Sequence, residues 1–175
     1  MRFKYILSAL NLILKDFSPV VLLPLVVALY YHETSMLNPF LLAGGIAISG
    51  SLIIRKCVKL TSEEENLNDI KRSEALMVVS LSWIVISCIA AIPYLLYGMS
   101  IENSLFEAVS GITTTGATIL TSYDIPKSLM FWRSLTQWLG GMGIIVLFVA
   151  ILPQFAVAGR QMFFAESPGP TEDKF

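Results

Sequence analysis

Charged side chains are scarce in this chain of 175 residues, at 14% of the sequence, whereas soluble domains carry about 25%. The shortage is concentrated in four blocks without Asp, Glu, Lys or Arg, at 17–32, 34–54, 75–101 and 134–159. A helix that crosses the hydrocarbon core of a bilayer needs about 20 apolar residues. Three blocks reach that length, and the first reaches it together with the apolar run 5–14. The sequence therefore predicts an integral membrane protein surrounded by lipid.

Histidine, cysteine and net charge are also limited. His32 is the only histidine, so a threonine nucleophile would lack a nearby general base, and we do not expect an enzyme. Cys57 and Cys88 fall in a basic loop and in an apolar span, which predicts neither a disulfide nor a metal site. A net charge of −1 gives no general attraction to nucleic acid. No cofactor and no nucleic-acid partner are expected.

The apolar blocks divide the chain into an all-α arrangement. Helices are predicted over 5–31, 37–54, 74–97 and 126–153, with a polar loop at 55–73, a short apolar segment at 103–113 and a polar tail after 153. Three units follow from this division: a two-helix segment with its loop (1–73), a helix–loop–helix unit (74–153) and a connecting tail (154–175).

Basic residues predict the orientation of these helices. Ten of them fall on one predicted side and two, Lys127 and Arg133, on or near the other; the ten are Arg2, Lys4, Lys15, Arg55, Lys56, Lys59, Lys71, Arg72, Arg160 and Lys174. An excess of Lys and Arg marks the cytoplasmic face. Both termini of this segment are therefore expected in the cytoplasm, which requires an even number of crossings. Four spans meet that requirement if 103–118 enters and leaves the membrane on the outer side.

The re-entrant segment has half the length of a span. Its eleven residues from Asn103 to Thr113 would form a helix of about 16 Å, with a capping box predicted at Ser104–Glu107. Three β-branched threonines and then Gly116 end it. Irregular backbone at membrane depth is tolerated only when it is buried in protein or lines a watery cavity.

Neutral oxygens around Gly116 suit a dehydrated monovalent cation, because backbone carbonyls can replace its hydration shell. Gly116 can adopt positive φ without steric cost, and the half-helix would direct the negative end of its dipole at the ion. The candidate ion-binding residues of this segment are Thr113, Thr114, Thr115, Gly116, Ala117 and Thr118.

Other interpretations of this segment remain open. Residues 111–118 match a phosphate-binding loop except that Ala117 replaces its lysine. A Gly/Thr-rich packing turn in a non-conducting scaffold or accessory subunit is a second alternative. A carrier coupled to sodium or protons is a third, although the span after Ser134 lacks ionisable groups at mid-depth.

Two charges and three glycines accompany the loop. Glu107 and Arg133 have opposite signs and similar predicted depth, so they either form a salt bridge or act separately, with Glu107 as a helix cap and Arg133 directed outward. Gly140, Gly141 and Gly143 lie in mid-span, where they favour close helix packing or a hinge.

Four motifs, at 106–118, 137–145, 150–153 and 165–170, occur in order along the chain. Together they closely resemble the pore subunit of bacterial Trk potassium-uptake systems, and the resemblance covers most of the chain from Glu74 onward. It implies two extra helices before a first helix–pore loop–helix repeat, with potassium as substrate. It also implies a filter formed by Thr114, Thr115, Gly116 and Ala117, with Thr113 and Thr118 at its edges, Gly116 at its central position and potassium held by the backbone carbonyls of Thr114 and Thr115.

The family builds its pore from four such repeats, so one re-entrant loop cannot encircle an ion. The resemblance therefore implies that this sequence is an amino-terminal fragment, or that several copies assemble. It also implies an inner-membrane location, a homodimer of the full-length protein and a cytoplasmic nucleotide-binding regulatory subunit.

Overall fold

The computed structural model describes residues 3–58, 72–122 and 124–166. The helices are α1 (Phe3–Leu22), α2 (Pro24–Tyr30), α3 (Leu37–Val58), α4 (Arg72–Tyr97), α5 (Ile101–Ile112) and α6 (Lys127–Glu166), with a short 3₁₀ turn at Thr34–Met36. Within these ranges no β-strand occurs. The predicted all-α class is confirmed. Most of the predicted loop 55–73 and the last nine residues of the predicted tail lie outside the described residues.

The first predicted helix is divided in two at Leu23. Pro24 is the first residue of α2, and since proline has no amide hydrogen it cannot continue the hydrogen-bond pattern of α1. The amide of Leu23 donates instead to the Val20 carbonyl at 3.2 Å, as in a 3₁₀ turn. Pro19, in contrast, lies inside α1. The division separates a long helix from a short one within a single apolar stretch.

Several other predicted boundaries differ from the structure, since α3 continues to Val58 rather than ending at Ile54 and α4 begins at Arg72 rather than Glu74. The half-helix α5 begins at Ile101 rather than Asn103, and α6 continues to Glu166 rather than ending near Pro153. Residues 154–166 contain Gln, Ala and Met, which have good helix propensity, so a single proline does not end the helix. The predicted boundary between the second unit and the tail therefore lies inside α6.

Trp132 of α6 lies at the centre of the hydrophobic core and has no exposed surface. Its ring contacts Phe17 of α1 and Phe40 of α3, at centroid distances of 6.2 and 6.0 Å. Its indole Nε1 donates to the Ala90 carbonyl of α4 at 3.1 Å. One side chain thus connects the helix after the threonine run with both leading helices and with α4.

Small side chains bring α1 and α3 together. Ala43 and Ala47 of α3 are fully buried, and a Cβ at Gly44 would lie 2.5 Å from Cδ2 of Leu22. Within this contact, Ser51 donates to Asn11 Oδ1 at 2.8 Å, which pairs two buried polar side chains. Close approach through small residues is typical of helices that pack in membranes.

Three stretches of the described residues are long and apolar enough to cross a membrane: Ile6–Tyr30, Thr34–Cys57 and Leu76–Tyr97. Large apolar side chains stay exposed along them, such as Val26 at 68% and Ile53 at 60%. Such a surface suits hydrocarbon rather than water. The chain is an integral membrane protein, while the fourth predicted span, in α6, stays a prediction.

Candidate functional site

The half-helix α5 begins at a serine cap. Ser100 has an extended backbone, and its hydroxyl accepts from the Asn103 amide at 3.3 Å. The capping box predicted at Ser104–Glu107 is wrong, because Ser104 lies one turn inside the helix and donates to the Ser100 carbonyl at 2.8 Å. With twelve residues, α5 is about 18 Å long, short of the hydrocarbon thickness of about 30 Å.

Residues 113–118, called here the threonine loop, follow α5 in an irregular conformation. Gly116 has φ +76°, as predicted for a residue free of steric restriction, and Thr114 has φ +58°. Positive φ in a β-branched residue is rare and strained, so nothing in the sequence pointed to Thr114. All six residues of the loop are exposed. Thr114 and Gly116 thus have left-handed backbone conformations, whereas Thr115 between them does not.

The amides of the threonine loop turn back toward the end of α5. Thr114 donates to the Gly111 carbonyl at 3.0 Å, and the amides of Thr115 and Gly116 both donate to the Ser110 carbonyl, at 3.0 and 3.4 Å. In a trans peptide the carbonyl of the preceding residue points opposite to the amide hydrogen. The carbonyl oxygens of residues 113–115 are therefore directed away from the end of α5.

The carbonyls of Gly116 and Ala117 have partners inside the protein. Nη2 of Arg133 lies 3.3 Å from each of these two oxygens, and the Ser110 hydroxyl donates to the Ala117 carbonyl at 2.6 Å. The structure therefore separates the predicted site into three oxygens directed away from the end of α5, at residues 113–115, and two oxygens bonded within the chain. The sequence did not predict this difference.

Glu107 joins α5, the threonine loop and α6. The carboxylate has no exposed surface. Its Oε1 accepts from the Thr118 hydroxyl at 2.6 Å and from the Ile119 amide at 2.8 Å, and its Oε2 lies 3.0 Å from Arg133 Nε. The salt bridge between Glu107 and Arg133, which was one of two predicted alternatives, is present. The ion pair therefore contacts the threonine loop at two places. Glu107 binds the Thr118 hydroxyl, and Arg133 binds the carbonyls of Gly116 and Ala117.

Thr113 and Thr115 add a second set of contacts on the exposed side. The Thr113 hydroxyl donates to the Val109 carbonyl at 2.7 Å and lies 2.8 Å from the Thr115 hydroxyl. A groove of about 410 Å³ runs beside these hydroxyls along α5. Its lining includes Leu105, Phe106, Val109, Thr113, Thr115 and Ala117. The loop thus presents the hydroxyls of Thr113 and Thr115 beside this groove, whose lining also includes Glu102 and Ser110.

The glycines of α6 are not equivalent. A Cβ at Gly140 would overlap the carbonyl group of Ile112, the last residue of α5. At Gly141 and Gly143 a Cβ would lie at ordinary contact distance, 3.8 Å, from Thr114 and Trp83 respectively. Close packing thus requires glycine at 140, while the predicted hinge stays a prediction. Gly111, on α5, is a further packing glycine, since its Cβ would lie 2.7 Å from Thr136 Oγ1.

Comparison with known proteins shows that the chain is similar to cation transporters. A family described as TrkH, cation transport protein, matches residues 45–174. A protein of Escherichia coli named Trk system potassium uptake protein TrkH is 36% identical over 180 residues, covering 99% of this chain and 35% of that protein. Its namesake in Vibrio parahaemolyticus is 34% identical over 179 residues, with the same two shares.

A third relative is similar over a shorter stretch. Trk system potassium uptake protein TrkI of Halomonas elongata is 45% identical over 101 residues, covering 56% of this chain and 20% of that protein. A search of solved structures gave no significant match. The chain spans about a third of the length of the TrkH proteins that it matches.

Proposed function

The chain belongs to the TrkH family of cation transport proteins, and from that premise we propose that it supplies one of four repeats of a potassium-uptake pore. The carbonyl oxygens of the threonine loop would take the place of water around the ion. The remaining three loops would come from further repeats of a longer chain or from other copies. Neither an enzymatic reaction nor a cofactor is part of this proposal.

The observation that carries the proposal is the direction of the loop carbonyls. Three successive amides point back to α5, so the oxygens of Thr113, Thr114 and Thr115 are directed away from it, and the central path would run on that side of the loop. Backbone oxygens can replace the hydration shell of potassium, and several loops around one axis are needed to complete it. In addition, α5 ends at the loop, so the negative end of its dipole is directed toward a cation there.

Residue roles follow from this arrangement. The oxygens at 113–115 would contact the ion, with Thr114 and Thr115 as the principal backbone ligands. Gly116, Ala117 and Thr118 would shape the loop through their bonds to Arg133, Ser110 and Glu107. This division narrows the set of six residues predicted from the sequence.

A second candidate function also has an observation in its favour. The carbonyls of Gly116 and Ala117 are bonded to Arg133, as expected for a packing turn in a scaffold or accessory subunit that does not conduct. The two functions differ in whether a change of loop conformation alters ion uptake or only the assembly of the protein.

Gly116→Ser in the full-length protein separates these functions. A Cβ at Gly116 would meet nothing within 4 Å, so the substitution opposes only the positive φ, at a cost of about 1–2 kcal/mol. We expect potassium uptake by a host that lacks its own uptake systems to fall about tenfold. Gly45→Ser is the matched control, because Gly45 has equally open space within α3. Wild-type uptake by Gly116→Ser at equal abundance in the membrane would contradict the proposed role.

The family resemblance also supports proposals about location and assembly. We place the protein in the bacterial inner membrane with both termini of this segment in the cytoplasm. We also propose that the full-length protein forms a homodimer and binds a cytoplasmic nucleotide-binding regulatory subunit.

A further inference from the structure

Glu33, in the connection between α2 and α3, caps the first turn of α6. Its Oε1 accepts from the Lys127 amide at 2.6 Å, and its Oε2 accepts from the amide and hydroxyl of Ser128, at 3.0 and 2.6 Å. The first turn of α6 contains no acidic residue of its own. A carboxylate at this end is favourable because the amides there are unpaired and the helix dipole is positive. The first turn of α6 therefore takes this carboxylate from a residue more than ninety positions away in the sequence.

The segment that carries Glu33 is itself fixed. The Glu33 amide donates to the Ala28 carbonyl at 2.8 Å, and the Glu33 carbonyl accepts from the Met36 amide at 3.0 Å. Met36 is 1% exposed, and the preceding residue, His32, has φ +58°. The carboxylate therefore extends from a short, hydrogen-bonded turn between the two leading spans.

The first turns of α6 connect this cap to the threonine loop. Lys127 and Arg133 are six residues apart on one helix, or about 9 Å along its axis. Between them, Trp132 is enclosed by side chains of α1 and α3. Arg133 then contacts Gly116, Ala117 and Glu107. A shift at the start of α6 would therefore move the guanidinium that contacts the loop.

We propose that Glu33 is a positioning residue for ion conduction, through which the two leading helices hold α6, and with it Arg133, in the place that the threonine loop requires. This inference rests on the proposed function, since it assigns to the leading helices a role in that same site. Glu33 does not touch the ion. It acts through three hydrogen bonds to a carboxylate, which are stronger than bonds between neutral groups.

Glu33→Gln in the full-length protein tests the inference, with potassium uptake measured as KM and maximal rate. A glutamine has one acceptor oxygen, and its amide group would face the N–H donors of α6. We expect KM for potassium to rise about threefold to tenfold and discrimination against sodium to fall, at equal abundance in the membrane. Glu33→Asp, which keeps the charge, should recover part of the loss. Asp124→Asn is the matched control, because it removes an exposed carboxylate three residues before α6.

Hydrogen exchange of the purified protein provides a measurement that does not depend on transport. The amides of Lys127 and Ser128 should exchange faster in Glu33→Gln than in the wild type or in Asp124→Asn. Unchanged exchange would overturn the cap whether or not the protein transports potassium. Faster exchange with wild-type KM and discrimination would overturn the positioning role. If the wild-type full-length protein takes up no potassium, the proposed function fails, and with it the positioning role, whereas the exchange rates still decide whether the cap exists.

Discussion

At position 107 a carboxylate without exposed surface accepts from a hydroxyl, a backbone amide and a guanidinium. These donors come from Thr118, the last residue of the threonine loop, from Ile119 directly after it, and from Arg133 of α6. The side chain of Arg133 is 17% exposed, so only part of its charge is accessible to solvent. Removing one partner of such a pair leaves the other charge without compensation, which costs more than the pair itself contributes.

A double-mutant cycle tests this pair. Glu107→Gln and Arg133→Gln should each lower the free energy of unfolding by about 3 kcal/mol, and the double variant should lose clearly less than the sum. Thermal unfolding of the purified full-length protein, calibrated with denaturant, supplies the values. Ser134→Ala is the control on the same helix, since its exposed hydroxyl donates only to the Met130 carbonyl. Additive losses would mean that the two side chains do not stabilise each other.

Part of this site could be predicted from residue types alone. Opposite charges at similar depth identified Glu107 and Arg133, and glycine at 116 identified a position with positive φ. The bonds from Arg133 to the Gly116 and Ala117 carbonyls could not be predicted, because they depend on the rotation of α6 relative to α5. The positive φ of Thr114 also escaped prediction, because steric propensity disfavours it and tertiary contacts override that propensity.

At the scale of helices, the contact between α5 and α6 depends on the absence of a side chain at Gly140. The carbonyl of Ile112 occupies the place where a Cβ would stand. This carbonyl belongs to the last residue of α5, so it lies directly before the threonine loop. Backbone cannot move aside as a flexible side chain can.

Gly140→Ala should therefore destabilise the protein. We expect the melting temperature of the purified full-length protein to fall by several degrees, corresponding to a loss of about 1–3 kcal/mol. Gly45→Ala is the control within another helix, where a Cβ has open space and alanine should be neutral or stabilising by up to about 1 kcal/mol. Equal melting temperatures for the two variants would show that the helices can separate at no cost.

Helix boundaries followed from the sequence at the start of α3, where Pro39 lies in the first turn, and at the end of α4, where Gly98 with φ +114° follows Tyr97. They did not follow where two caps competed. Ser100 and Ser104 are both followed by an acidic residue within three positions, so either serine could cap α5. In the structure Ser104 and Glu107 are buried, and Ser100 is the cap. The continuation of α6 beyond Pro153 did not follow from the sequence, because the apolar character falls after that residue while helix formers among residues 154–166 continue the helix.

For the whole molecule, the cap at Glu33 is the polar connection between the leading helices and α6. Burial alone would raise the pKa of Glu33, but hydrogen bonds from Ser128 and from the Lys127 amide, with the Lys127 charge, outweigh burial and hold that pKa below its ordinary value of 4.5. A carboxylate with a lowered pKa in the folded state stabilises the protein above its unfolded pKa. The contribution disappears as pH falls from about 4.5 through the folded pKa.

The stability difference between the wild type and Glu33→Gln should therefore depend on pH. At pH 7 the wild type should melt at the higher temperature, and the difference should shrink as pH falls below about 4.5, because the protonated carboxyl also loses its charge. Melting curves of the two purified full-length proteins between pH 7 and pH 3 measure it, with Asp124→Asn as the control. A difference that stays constant over this range would exclude the charge of Glu33 as its source.

The return of three amides to the end of α5 has a consequence for how the threonine loop responds to change. Each oxygen of residues 113–115 takes its direction from the peptide unit that it shares with the next amide, and those amides take theirs from the carbonyls of Ser110 and Gly111. Adding or deleting one residue between 110 and 113 would rotate the acceptors by about 100° around the helix axis. Replacing a threonine of the loop by another small residue would leave the acceptor carbonyls of Ser110 and Gly111 in place. Chain length at this junction is therefore a stricter requirement than the identity of any single threonine.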